Sequence, residues 1–252
     1  METILFSIIT VNYNSGNLLE KTLQSVISQD FDNYEYIIID GGSTDNFNKI
    51  IRKYKKHLDV VISEADSGIY DAMNKGISQA NGRYINFLNT GDRFFSNNTL
   101  SKVFESISTN QHKIISGDFV IENVQGKYQQ IKTRQINIPN LKKDFYACHQ
   151  SIFIDKSLVK PYDLKYKIKA DYKWVLEALL ETNSQNVIKL DFPIVFYLKD
   201  GFSSRNQLLN IKELIRLHKE FFGNFQVVKN IPIYIFRILR SVKDQLIEKL
   251  TN

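Results

Sequence analysis

Apolar positions recur in two rhythms along this chain. Phe6–Asn12 is an almost continuous apolar run, the pattern of a strand buried on both faces. Leu19, Leu23, Val26 and Ile27 return at helical spacing, so Leu18 to Gln29 predicts an amphipathic helix. Tyr34–Asp40 is the next strand, Phe47, Ile50, Ile51 and Tyr54 mark a second helix, and Val60–Ser63 a third strand. A helix opening near Ile69 places Ile69, Ala72, Met73, Ile77 and Ala80 on one face, and Tyr84–Asn89 reads as a fourth strand. Strands and helices that alternate across short connections predict an α/β fold, a mainly parallel sheet flanked by helices.

Beyond residue 100 the rhythm loosens. Leu100, Val103, Phe104 and Ile107 predict a helix, Lys113–Asp118 a strand, and residues 119–138 a hairpin around Asn123–Lys127. Tyr172, Val175, Leu176, Leu179 and Leu180 place a helix over 170–182. From 205 the pattern is helical, with breaks expected at Gly223 and Pro232. No linker divides the chain, so the expected organisation is a domain over 1–204 and a C-terminal helical extension over 205–252.

Composition narrows the classes. With 252 residues, 43% hydrophobic and 24% charged, and only 11 Gly and 4 Pro, the chain has the balance of a globular protein and neither a fibrous nor a disordered one. The single Cys148 excludes a disulfide within this chain and a Cys-cluster zinc site, which suits a reducing cytoplasm. Met1-Glu-Thr runs into a β-branched stretch without a basic leader, so no signal peptide is expected. No apolar stretch approaches the ~18–20 residues that a membrane span needs. A net charge of +6 points to phosphate-bearing ligands or an anionic membrane surface. No compact Lys/Arg block or aromatic RNA motif accompanies it, so nucleic acid is not an expected partner.

Candidate chemistry gathers at the carboxyl ends of the predicted strands. Asn12, Asp40, Glu64 with Asp66, and Asn89 with Asp92 lie there, where ligands bind on parallel sheets. Each alone also suits a turn or a helix cap; together they predict one crevice. In the stretch from Ser63 to Gly76, an acidic pair precedes a glycine turn, and Asp71, Asn74 and Lys75 of the following helix face away from its apolar side. Gly41 and Gly42 permit close backbone approach, and Asp45 suits a helix N-cap.

Four segments, Ile9–Asn14, Ile39–Asp45, Ser63–Gly76 and Phe87–Asp92, in this order, resemble those of inverting family-2 glycosyltransferases. The likeness is to the branch that builds bacterial surface polysaccharides such as O-antigens. The resemblance implies the GT-A fold and transfer of one sugar from a nucleotide sugar, a UDP-hexose or UDP-HexNAc, to a polyprenyl-diphosphate-linked saccharide. It places Thr10, Asn12, Asp40, Glu64, Asp66, Lys75 and Asn89 around the donor, with Asp40 accepting N–H groups of the base. It makes Asp92 the ligand of Mn²⁺ or Mg²⁺, with Asn89 as a weaker second, although the fold's Asp-x-Asp motif is here Asn89-Thr-Gly-Asp92 with one carboxylate. It assigns Asp171, at the start of a helix, as the base that deprotonates the acceptor; an N-cap role would also account for an Asp there. Tyr70, His149, Gln150 and Trp174 fall on the acceptor or donor side, His149 meeting diphosphate, metal or acceptor; Cys148 reads as packing.

Two rivals remain at this level. A nucleotidyltransferase would want a basic, glycine-rich loop after the first strand, and Asn12–Gly16 has no Lys or Arg. A non-catalytic sugar-nucleotide binder or assembly subunit would keep the donor site without turnover. Residues 229–250 alternate large apolar residues with Lys229, Arg237, Arg240, Lys243 and Lys249. Such a basic amphipathic stretch either lies on the inner leaflet of the cytoplasmic membrane or packs on the domain or a second subunit of a homodimer.

Overall fold

The uninterrupted apolar run Phe6–Asn12 forms β1, buried at all seven positions. The computed structural model describes residues 3–107, 111–122, 126–198 and 206–239. Parallel to β1 lie β2 (Tyr34–Asp40) on one side and β4 (Tyr84–Phe87) on the other, and β3 (Val60–Ser63) flanks β2. The register sets Asn12 beside Asp40 and Asp40 beside Ser63, so three polar side chains end their strands in one row.

Strand side chains alternate between faces, and here each face has its own core. Ile9, Val11, Ile37 and Ile39 pack with Tyr70, Ala72 and Met73 of α3 (Ile69–Gln79), with α6 (Ala170–Leu180) and with α7 (Gln207–Lys229). Phe6, Ile8, Tyr36 and Ile38 pack with α1 (Gly16–Ile27), α2 (Phe47–Tyr54) and α4 (Thr99–Ser106). Helices on both faces explain why the strands read as apolar throughout. A short α5 (Ile138–Leu141) completes the helices used below.

The second half of the sheet is mixed. Antiparallel to β4 runs β8 (Ile152–Asp155), and β6 (Ile114–Glu122) is antiparallel to β8. Next comes β9 (Val187–Leu198), parallel to β6, then β5 (Arg93–Phe94), antiparallel to β9. The expected hairpin pairs β6 with β7 (Tyr128–Ile131); residues 123–125 of its tip lie outside the described residues. The strands β8 and β9 have no counterpart in the sequence reading. β9 carries Pro193 beside a register irregularity opposite Asp118, and a proline inside an apolar run argues against a strand.

Inside α7, Gly223 adopts φ 77°, ψ 174°, a conformation open to glycine, and interrupts the helical backbone where a break was expected. Residues 231–239 are helical, with Pro232 in the first turn. Ile211, Leu214 and Leu217 of α7 join the core beneath α6. Among the described residues no helix is long and apolar enough to cross a membrane.

Candidate active site

Asp40 anchors the strand ends. Its carboxylate accepts from Asn12 Nδ2 at 2.8 Å, the Ser43 amide at 2.9 Å, Ser43 Oγ at 2.5 Å and Ser63 Oγ at 2.7 Å. Burial would raise its pKa, but the bonds from Ser43, Ser63 and Asn12 outweigh that and hold it below the ordinary carboxylate range. Thr90 donates to Asn12 Oδ1 at 3.1 Å, linking this network to the loop after β4. Asp45 accepts the Phe47 amide at the start of α2 and the Gly16 amide at the start of α1.

Residues 89–92 close a tight turn, with the Asp92 amide donating to the Asn89 carbonyl at 2.9 Å. Gly91 sits at φ 100°, a value that a side chain would strain. The turn exposes Asn89 and Asp92 to a cavity of about 900 Å³ that Ile69, Tyr70, His149, Gln150 and Asp171 also line. Asp92 Oδ1 accepts from the Leu198 amide at 2.9 Å, and Oδ2 from Gln150 Nε2 at 2.8 Å. Burial pushes the Asp92 carboxyl up to about 7, against the opposing pull of the Leu198 amide, His149 and Gln150.

A divalent cation fits this turn. Asn89 Oδ1 is buried without a hydrogen-bond partner, and each Asp92 oxygen accepts only one bond. Both are hard oxygen donors, and Mg²⁺-like ions are commonly held by one or two such groups plus substrate phosphate. Among the described residues no group of three His, Cys, Asp or Glu side chains forms a self-sufficient metal site.

Asp171, the second residue of α6, turns Oδ2 toward His149 Nδ1 at 3.2 Å, and Oδ1 accepts the Tyr172 amide at 2.8 Å. Burial works against its charge, but His149, Lys169 and the Tyr172 amide prevail, so it stays ionised below the ordinary carboxylate range. Lys169 stands at the N-cap position, and Asp171 in the first turn satisfies the Tyr172 amide with Oδ1 while Oδ2 faces His149.

Several expected contacts are used inside the protein. Thr10 is fully buried and donates to the Leu88 carbonyl at 2.7 Å, so it supports the sheet and does not reach a ligand. Asp40 is equally buried with its acceptors taken, and Asn12 is tied to it, so neither presents a free group to a base. Gln150 spends its amide nitrogen on Asp92 and its oxygen on the Cys148 thiol, so it holds the turn instead of gripping a sugar. Trp174 is 2% exposed and stacks on Tyr162 in the core. Tyr70 borders the cavity, but its hydroxyl is bonded to the Ile168 carbonyl. Ile69, expected in the core, is 45% exposed and lines the cavity.

Glu64 pairs with Lys75 at 2.8 Å, and Lys75 also donates to the Ala65 carbonyl. Asp66 accepts the Gly68 amide and lies over Gly41, where any Cβ would come within 2.4 Å of its Oδ2. These three form an outer wall apart from the cavity lining, joined to it through Asn12 and Thr90. Burial pushes the Cys148 thiol well up, consistent with packing. Sequence reasoning missed Ser43 and Ser63, Lys167 and Lys169, and Glu213, which accepts the amides of residues 167–169. Only Ser63, at a strand's carboxyl end like Asp40, carried a readable signal.

The sequence profile described as "Glycosyl transferase family 2" matches residues 7–158, more than half of the chain. A PGL/p-HBAD biosynthesis glycosyltransferase of Mycobacterium bovis is 28% identical over 179 residues, 68% of each protein. The Escherichia coli UDP-Glc:alpha-D-GlcNAc-diphosphoundecaprenol beta-1,3-glucosyltransferase WfgD is 24% identical over 216 residues, 84% of each. Staphylococcus aureus TarS 1-349 in complex with UDP superposes with a TM-score of 0.65 at 21% identity, over 85% of this chain and 64% of that one, less than two thirds of its length. The mannosyltransferase PcManGT of Pyrobaculum calidifontis, in complex with GDP-Man and Mn²⁺, gives 0.60 at 14% identity, over 94% and 75%. At these identities the two structures establish a shared fold.

Proposed function

The chain belongs to glycosyl transferase family 2, and from that premise we propose that it moves one hexose or N-acetylhexosamine from a UDP-sugar to a saccharide carried on a lipid diphosphate. The observation that carries the reading is two carboxylates from different elements, Asp92 and Asp171, lining one cavity beyond the carboxyl ends of the parallel strands. The WfgD name, with its UDP-Glc donor and diphosphoundecaprenol-linked acceptor, and TarS with UDP support the choice of donor and acceptor.

In this reading transfer is a single displacement with inversion. The ionised Asp171 takes the proton of the acceptor hydroxyl as that oxygen bonds to the anomeric carbon. The bond from that carbon to the diphosphate oxygen breaks on the opposite face, and UDP leaves. His149 orients Asp171 by its contact with Oδ2. A divalent cation, Mn²⁺ or Mg²⁺, held by Asp92 and Asn89 would neutralise the charge of the departing diphosphate. The hydrogen-bonded ends of β1, β2 and β3 keep the wall of Glu64, Asp66 and Lys75 rigid beside the nucleoside.

The C-terminal helices present Phe225, Val228, Ile235, Phe236 and Leu239, each more than half exposed, and residues 221–239 contain no acidic side chain. Such a face suits an anionic lipid surface, so the protein would work peripherally on the cytoplasmic side of the membrane. The remainder of the basic stretch, 240–252, lies outside the described residues.

The test is turnover and binding across UDP- and GDP-sugars, with Mn²⁺ binding read by electron paramagnetic resonance on the wild type and D92N. One UDP-sugar turned over, with Mn²⁺ bound by the wild type and released by D92N, is the expected result. Binding without turnover in the presence of lipid-linked acceptors would return the chain to the non-catalytic class. Equal Mn²⁺ binding by both proteins would move the cation away from Asp92.

A further inference from the structure

Glu213 of α7 is 5% exposed and accepts three consecutive amides, those of Lys167, Ile168 and Lys169, at 2.7, 2.8 and 2.9 Å. A buried carboxylate taking three backbone donors fixes the segment that leads into α6. Lys167 and Lys169 on that segment line the same cavity as Asp171. Of the other charged groups there, Arg93 pairs with Glu122, His149 contacts Asp171, Asp92 accepts from Leu198 and Gln150, and Lys21 of α1 lines the cavity without an ion pair among the described residues. Among the described residues neither Lys167 nor Lys169 makes an ion pair or a side-chain hydrogen bond. Lys169 is half-buried, and burial pulls its pKa below the ordinary lysine value although Asp171 and Asp144 act to raise it. An ammonium held on a rigid segment at the cavity, near carboxylates but in direct contact with none, is placed to receive an anion that arrives with the ligand.

We propose that Lys169, assisted by Lys167, binds the diphosphate of the lipid-linked acceptor, an assignment that rests on the glycosyl-transfer reading of the cavity. Two anions enter that cavity in one catalytic cycle, the donor's diphosphate and the acceptor's. The donor's belongs at the 89–92 turn, on the loop after β4. Lys169 instead stands two residues before Asp171, the group that must reach the acceptor hydroxyl. The segment is anchored to α7, whose far end leads to the exposed apolar face at 225–239, where a lipid tail would find its surface. The acceptor's phosphates thus lie between its reacting sugar and its chain, as its covalent order requires.

The experiment is calorimetric titration of the full chain and its K169Q, K169M, K169R and K167Q variants with farnesyl diphosphate, farnesol and UDP. Loss of one charge-assisted contact predicts about tenfold weaker farnesyl diphosphate binding by K169Q and K169M, with K169R near the wild type. K167Q should lose less, and UDP binding should be unchanged throughout. Parallel weakening of UDP in K169Q would give the lysine to the donor's diphosphate and overturn the assignment. Unchanged farnesyl diphosphate affinity in both neutral variants would overturn it as well, as would farnesol binding the wild type equally well. If the wild type binds farnesyl diphosphate through Lys169 but binds no UDP, the anion site stands and the glycosyl-transfer reading falls.

Discussion

Asp40 and Asp171 show what a single residue's surroundings decide. Both are aspartates at the edge of an element, and both carry lowered pKa values. Asp40 is enclosed by four donors and faces no solvent, so it acts on the fold; removing it takes from Ser43, Ser63 and the buried Asn12 the acceptor they share. The variant D40A should lose about 3 kcal/mol of unfolding free energy, read as a lower urea midpoint. Asp171 keeps one oxygen for His149 at the cavity wall. In D171N, turnover should fall by roughly 10²–10⁴ with UDP affinity retained; turnover within the normal range would remove Asp171 as the base. The sequence places both residues correctly along their elements. It does not say that Asp40 turns inward and Asp171 toward the cavity, because that depends on distant partners: Asn12 and Ser63 for the first, His149 for the second.

Among elements, the contact of α3 with the sheet is a close one. A Cβ on Gly76 would lie 2.5 Å from Ile9 Cγ2, so glycine lets this helix settle on β1 and brings Ile69 and Tyr70 to the cavity. The variant G76A should cost about 1–3 kcal/mol, seen as a lower denaturant midpoint with unchanged slope. Near-equal stability would mean that α3 can shift without loss. Elements of the first hundred residues are legible because β1, β2 and β4 are buried on both faces and each helix on one, so the two periods are clean. β9 escapes because it is only partly buried and interrupted by Pro193, and β8, a four-residue strand, lies outside the regular strand–helix alternation of the first hundred residues. Their pairing with β4 and β6 joins segments too far apart for any local pattern to record.

At the scale of the whole molecule, the C-terminal helices close over the core through His218. It is fully buried, with Nδ1 2.7 Å from the Tyr234 hydroxyl and 3.1 Å from Asn230 Nδ2, and burial lowers its pKa to about 4. Unfolded, it titrates near 6.5. Above pH ~6.5 both states are neutral and the folded state keeps its full stability. As pH falls from there toward 4, only the unfolded state gains the proton, so stability declines, by about 2 kcal/mol at pH 5. Urea unfolding of the wild type and H218Q at pH 7 and 5 should show that the variant loses less on acidification; parallel losses would place the acid sensitivity elsewhere. Docking of α7 also brings Glu213 to the 167–169 segment, so the extension helps shape the cavity that it borders.

From sequence alone follow the α/β class, the first three strands to their residue limits, and the polar residues that end them, since burial periodicity and strand-end polarity are local properties. Tertiary structure alone decided which polar groups are consumed by the protein and which are left for a ligand. Asn12, Asp40 and Gln150 are tied inward, while Asn89, Asp171 and Lys169 remain at the cavity, because a hydrogen bond or an unmatched charge exists only once distant segments have met.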